Sequence, residues 1–533
     1  MGVGRRGIGI DRHRGDVVVS RLGLFKDATH PLEPRKALAA AAAMPEPQPA
    51  CRCEPPLASW AAAVWTLDTR SLAVYRIGLG LLLLADCLLR SRDFQLMLGA
   101  DGILPPHLVR GYLGHPSQWS LALLHDSTWW NGSVLALEGI AGGMLAIGYR
   151  TRLATLLGWV AVVSLIRRTA LAHNAGDLWL ACQLLWANFL PLGSRWSFDS
   201  RRSTSARPPT AVYSIATGAL VLQLVAVYLG AGIAKCNETW FFAEALPRAL
   251  SVHDHGTPVG MALGSCPWLA SLLQRAIPIA ELGMPLALLA IPKARVRTCL
   301  VLLAVAFHAS IWLLMNVGLF AAVGIVAWLP LIPAAAWPAA TGAATPRTIG
   351  LRRAASWGCG LAGCLAAAAF MVQSIAGSTG PLPQPLATGV NLLCLSQAWR
   401  MFGTVRNQEQ WVSCRATLAD GRMIDPLRGG RPVVSGPPTG GFASLPNHRW
   451  HRFFWRLPEP ESRRFGPAAA AAIARAWNAH HPPTEHAVQL EIWCGSTEVS
   501  HADSTMRDTL IASWPPRSAA GTGNLDRFLE RGR

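Results

Sequence analysis

The sequence predicts an all-α polytopic membrane domain of about nine transmembrane helices, followed by a small C-terminal extracytoplasmic α+β domain. Three observations carry this. Apolar residues make up 51% of the chain and gather in blocks of roughly 17 to 25 with few charges, the length that crosses hydrocarbon. The basic excess, 48 Lys and Arg against 30 Asp and Glu, falls at the ends of alternate blocks. Beyond residue 376 the long apolar blocks stop while charged residues and prolines rise, as expected of a segment that folds in water.

The spans read in order as Ser71 to Leu89, Ser133 to Gly148, Leu153 to Ile166, Leu178 to Leu192, Ala211 to Gly232, Pro267 to Ile291, Thr298 to Asn316, Val317 to Trp337 and Ala354 to Ile375. The second, third and fourth are short. Arg150 and Arg152 follow the second; Arg195, Arg201, Arg202 and Arg207 the fourth; Lys293, Arg295 and Arg297 the sixth; Arg347, Arg352 and Arg353 the eighth. By the positive-inside rule these four loops are cytoplasmic, which puts the N-terminus inside and everything after the ninth span outside a cell (inner) membrane. Arg167 and Arg168, after the third span, fall on the wrong side. Arginine used this way serves orientation, so membrane lipids are the expected partners and nucleic acid is not.

Residues 1–60 read as disordered or as an artefact of gene prediction: Arg5-Arg6 lacks the apolar core of a twin-arginine signal, Pro and Ala dominate up to Pro56, and Met44 offers an alternative start. Residues 61–376 form the multi-span domain and residues 377–533 the cap. Within the cap, Trp411 to Leu418 alternates, Asp420-Gly421 supplies a turn and Arg422 to Pro426 returns as a hairpin partner. Pro467 to His480 is a helix candidate, His486 to Cys494 a strand candidate, and Gly429 to Gly441 a loop. A disulfide is permitted among Cys394, Cys414 and Cys494 in an outward cap, though three cannot all pair.

The candidate chemistry begins at Lys235, which closes the uncharged stretch from Tyr213 to Ala234. An amine there is readily kept neutral and so made a base; the plainer reading is that it snorkels to the interface beside Trp240. Arg76, Asp86, Glu138 and Glu281 lie inside spans, either as interhelical partners or as the lining of a polar cavity. His173-Asn174-Ala175-Gly176-Asp177 precedes the fourth span and either orients a substrate or forms a turn and helix cap. His308 is a lone histidine on an apolar helix. Neither Cys51-Arg52-Cys53, His253-Asp254-His255 nor His480-His481 has zinc-site spacing, so no metal is expected, and no phosphate loop, dinucleotide fingerprint or nucleophile elbow is present.

These blocks together resemble a known family. Asp68-Thr69-Arg70 leading into Tyr75-Arg76-Ile77-Gly78, then Gly102-Ile103-Leu104-Pro105, Asn174 to Asp177, Pro191 to Asp199, Tyr228 through Lys235 to Trp240, Phe307-His308 with Gly318-Leu319-Phe320, and Trp399-Arg400-Met401-Phe402 look, in that order, like the horizontally transferred transmembrane domain family, related to the vitamin K-dependent gamma-carboxylases. The resemblance implies an integral membrane enzyme that oxidises a reduced quinone of vitamin K type to its epoxide, coupled to carboxylation of glutamate in a polypeptide. Lys235 matches the second lysine of the carboxylase base block, Ala234 replacing the first. His173 stands near the place of the carboxylase histidine, but as His-Asn rather than Asn-His. The implied set is Lys235 and His173 as catalytic residues, with Asn174, Asp177, Trp240 and His308 toward substrate and a vitamin K hydroquinone or related quinone as cofactor. Alternatives left open are another quinone- or lipid-modifying activity, and a non-enzymatic transporter or membrane scaffold.

Overall fold

The computed structural model describes residues 56–202, 209–251, 255–338, 383–395, 399–403, 408–433, 436–438, 440–498 and 506–516. The described residues form one unit. Eight apolar helices follow the expected blocks: α1 (Thr69–Ser91), α2 (Thr128–Ile147), α3 (Thr151–Arg168), α4 (Ala175–Ala187), α5 (Ile215–Ala234), α6 (Pro267–Ala290), α7 (Ala294–Leu314) and α8 (Phe320–Trp328). Five of them, α1, α2, α5, α6 and α7, are long and apolar enough to cross a membrane. The other three fall short for legible reasons. Three arginines, Arg152, Arg167 and Arg168, sit within α3; α4 has 13 residues, about 20 Å at the helical rise; and Pro330 tightens the end of α8 into a 3₁₀ turn over Leu329–Leu331. The ninth expected span and the arginines that precede it lie outside the described residues, as does nearly all of the N-terminal segment.

Helix α1 packs on α2, α2 on α3, α5 on α6 and α7 on α8. The α1–α2 approach is set by glycine: a Cβ on Gly80 would lie 2.7 Å from the Gly142 carbonyl oxygen, and one on Gly142 would lie 2.9 Å from the Leu83 Cβ. Small residues at such a seam let helix backbones meet in a setting where lipid tails are as apolar as leucine.

The expected arginine-rich loops that are described converge on one end of the bundle. Asp199 accepts from the backbone N–H groups of Arg150 (2.9 Å) and Thr151 (2.8 Å); Arg76 donates to the Trp196 carbonyl at 2.7 Å; Arg297 donates to the Thr66 carbonyl at 3.3 Å; and Arg70 donates to the Pro338 carbonyl at 2.8 Å. The discordant Arg167 and Arg168 lie at the other end and are buried. Arg168 donates to the carbonyls of Leu98, Gly99 and Leu104, and Arg167 to those of Trp119 and Asn391. They are staples for loop carbonyls, which explains why they ignore the charge pattern.

At that second end sits the cap. Strands β1 (Gln408–Leu418), β2 (Met423–Asp425), β3 (Arg431–Pro432), β4 (Ala487–Glu498) and β5 (Arg507–Trp514) form an antiparallel sheet in the order β3-β2-β1-β4-β5. The expected hairpin is present, with Ala416 opposite Ile424. The alanine-rich helix, Gly466–Asn478, packs on β4 and β5. Cys414 faces Ile492 across the β1–β4 ladder, Cys494 faces Val412, and Cys414 keeps a free, buried thiol. A further helix, His448–Arg456, went unread in the sequence because it carries five basic side chains among its nine residues.

That helix docks the cap on the bundle. Arg449 donates to Asp86 of α1 at 2.5 Å and to Asp177 of α4 at 3.1 Å, while Arg90 donates to the same two carboxylates at 2.8 and 3.3 Å. All four side chains are buried. Removing one member strands its partners, a loss of about 3–5 kcal/mol. Arg449→Met is therefore expected to lower the unfolding free energy by that amount. Arg422→Met, which breaks the exposed pairs to Asp420 and Glu485, should leave the unfolding free energy nearly unchanged. Unfolding of the two variants in detergent measures the contrast.

Candidate active site

Lys235 caps the C-terminal end of α5, where Asn237 starts a new short helix, Glu238–Phe242, by accepting from the Trp240 N–H at 3.3 Å. Side chains on a helix lean toward its N-terminus. For a residue ending a span, that lean is into the bundle. The Lys235 side chain follows it and is only 3% exposed, so the snorkelling expectation does not hold. Its Nζ donates to Glu281 Oε2 at 2.9 Å, to Oε1 at 3.0 Å and to the Ala231 carbonyl at 3.3 Å. The Trp240 ring centroid lies 5.5 Å from Nζ. Glu281 thus pairs with Lys235 and not with Arg76 or Glu138.

Trp240 is itself fixed. Its indole N–H donates to the Phe402 carbonyl at 2.7 Å, and its carbonyl accepts from Gln274 Nε2 at 2.7 Å. Gln274 also donates to the Ala243 carbonyl and accepts from the Leu246 N–H, tying the segment after Lys235 to α6.

Two turns before Lys235 on α5, Tyr228 meets His308 of α7: Oη lies 2.7 Å from Nε2, and Trp328 Nε1 donates to the same oxygen at 2.8 Å. Trp179 of α4 borders Tyr228, His308, Phe320 and Trp399 with ring centroids 5.7–6.4 Å away.

Asn174 and Asp177 form a reciprocal capping box at the start of α4. Asn174 also donates to the Val317 carbonyl at 3.3 Å, and Asp177 belongs to the charge ring described above. His173 lies beside Arg456 and Arg452, and burial followed by the Arg456 charge pulls its pKa down to about 3; its Nδ1 has no hydrogen-bond partner among the described residues. The structure therefore groups Lys235 with Trp240 and Glu281, places His308 of α7 against Tyr228, which lies two turns before Lys235 on α5, and puts His173, Asn174 and Asp177 at the cap junction. Among the described residues no cluster of side chains suits a metal ion.

Tyr228, Trp328, Gln274 and Arg449 escaped the sequence reading. Tyr228 had a signal, since seven residues before Lys235 is the same helix face; Arg449 had none.

A helical bundle with five helices long and apolar enough to cross a membrane, which buries a lysine–glutamate pair and a tyrosine–histidine pair and carries a docked cap, has the make-up of a multi-pass membrane protein. The HTTM domain matches residues 65–337, half of the chain, and the protein belongs to that family, the one shared with vitamin K-dependent gamma-carboxylases. No curated protein and no solved structure matches the chain.

The cap junction carries a pH response. His448 lies against the Gly318 backbone, and burial, reinforced by Arg449 and Arg90 against the opposing Asp177 and Asp86, lowers its pKa from 6.5 to about 4. A histidine with a depressed folded-state pKa binds fewer protons when folded, so stability rises with pH between the two values and is lost as pH falls through them. At roughly 1.4 kcal/mol per unit, His448 should cost the fold on the order of 3 kcal/mol between pH 7 and pH 4. His448→Gln should flatten that slope in denaturation measured across the pH series.

Proposed function

We propose that the protein is a gamma-carboxylase-like membrane enzyme in which Lys235 acts as the base toward a reduced quinone of vitamin K type, coupled to carboxylation of glutamate in a polypeptide. The observation that carries this is the inward, buried Nζ of Lys235 held against Glu281. A scaffold lysine at a span end gains nothing from desolvation, whereas a base does.

The residues present suit a flat amphiphile with an acidic hydroxyl: Lys235 would face that hydroxyl, with Trp240 beside the amine and His308 farther in. When bound, such a quinone supplies the acidic hydroxyl and the reducing equivalents for coupled oxygenation. The chain's own part is proton handling. The three contacts of Nζ, to the two Glu281 oxygens and the Ala231 carbonyl, match the three donors of an ammonium, and in this reading the resting pair is charged. The amine becomes a base by passing one proton to a Glu281 oxygen. That shift turns an ion pair into a neutral pair without changing net charge, which a low-dielectric site tolerates.

The same ion pair favours a second reading, a structural pin between α5 and α6. Arginine separates the two, since it keeps charge and pairing but does not release a proton. Lys235→Ala and Lys235→Arg should both lose roughly a hundred- to ten-thousand-fold in quinone epoxidation, with the Arg variant melting near the wild type. An Arg variant with full epoxidase activity removes Lys235 from the mechanism. Wild-type protein with no epoxidase activity leaves the family standing and withdraws the carboxylase reading.

We further propose nine spans, with the arginine-rich end cytoplasmic and the cap outside. The gathering of Arg150, Arg195, Arg201 and Arg297 at one end supports this, as does the placement of Pro338 at that end while Asn391, bonded to Arg167, lies at the other. Reporters active only outside the cytoplasm should work when fused after Ser251 and after Leu392 and fail after Arg202 and after Arg295. A silent reporter after Leu392 would overturn the orientation.

A further inference from the structure

Hydrogen counting along the Trp328–Tyr228–His308 chain leaves one proton without a place. An indole N–H can only donate, so in the 2.8 Å contact the Tyr228 oxygen accepts. Two arrangements of the 2.7 Å contact to His308 Nε2 remain. In the first, the tyrosine hydroxyl donates to Nε2 and the imidazole proton sits on Nδ1. In the second, Nε2–H donates to the tyrosine, which strands both the phenolic hydrogen and the Nδ1 lone pair. Since Nδ1 meets no hydrogen-bond partner among the described residues, the first leaves one group unmet and the second leaves two. A charged ring fares no better, because it too leaves the phenolic hydrogen and the Nδ1 proton unplaced. The first arrangement therefore holds, and His308 presents a buried Nδ1–H donor.

The ring has little freedom to find another partner. It lies flat on Gly324, where a Cβ would fall 2.2 Å from Cε1. Phe307, Trp179 and Phe320 surround it at centroid distances of 5.5, 5.8 and 5.9 Å. His308 is 2% exposed. A buried donor without an acceptor costs about 1–3 kcal/mol, a cost that an acceptor brought in by a ligand removes.

We infer that His308 Nδ1–H is a ligand-anchoring donor that receives an oxygen on a quinone ring, a hydroxyl oxygen of the reduced form or a carbonyl oxygen of the oxidised form. The ligand class rests on the function proposed above; the donor and its direction rest on the hydrogen count alone. Aromatic walls suit a flat ring, and a donor without a lone pair on the same atom selects an acceptor oxygen. Tyr228, the partner of His308, and Lys235 share one face of α5 two helical turns apart, which sets the donor and the lysine–glutamate pair along the same side of that helix.

The test uses the full chain in nanodiscs with menadione as probe, following affinity by tryptophan quenching and the bound carbonyl stretch by infrared difference spectroscopy. Wild type should bind menadione with its carbonyl band shifted by hydrogen bonding. His308→Phe should weaken binding about tenfold, the worth of one such bond, and abolish the band shift. His308→Asn, whose side-chain N–H can stand where Nδ1–H stood, should restore both, and thermal melting confirms that each variant is folded. Failure of menadione to bind wild type, or an identical band in wild type and His308→Phe, overturns the inference. Turnover with no effect of His308→Phe on the band would sink the anchor and leave the proposed function; a band that depends on His308 without any turnover would do the reverse.

Discussion

Four buried charges hold the cap to the bundle. Asp86, Arg90, Asp177 and Arg449 alternate in sign around a closed ring that joins α1, α4 and the cap helix His448–Arg456. A buried charge is tolerated only when its neighbours neutralise it and accept or donate its hydrogen bonds, so the ring fixes the positions of all three elements at once. Asp177 also closes the capping box that starts α4, and two residues later Trp179 reaches the rings of His308 and Tyr228. Docking of the cap and the shape of the inner site are thereby coupled through one short helix.

The two polar pairs further in follow a different rule. Lys235–Glu281 and Tyr228–His308 each span two helices, and each is buried with few partners. Lys235 Nζ has three hydrogen-bond partners, while among the described residues His308 Nδ1 has none. That difference is what the proposed roles of the two groups rest on.

How much of this was legible in advance differs by element. The eight described apolar helices lie where the blocks of low charge put them, because hydrophobic length is a local property. The β1–β2 hairpin and the alanine-rich cap helix were likewise local. The helix His448–Arg456 was hidden, since its basic side chains look like a solvated face until Asp86, Asp177 and the carbonyls of Ala170 and Leu171 are brought to it. Arg167 and Arg168 misled the charge pattern for the same reason: their partners are loop carbonyls distant in sequence.

The sequence by itself determined the helical class, the order of the apolar helices and the family, because each depends on composition over one span or on an ordered series of short blocks. Only the tertiary structure decided that Lys235 turns inward rather than to the interface, that Glu281 rather than water receives it, and that Asp177 serves a charge ring completed by Arg449. Those outcomes depend on which side chains arrive from helices tens to hundreds of residues away, and a buried charge takes its meaning from the partner it meets.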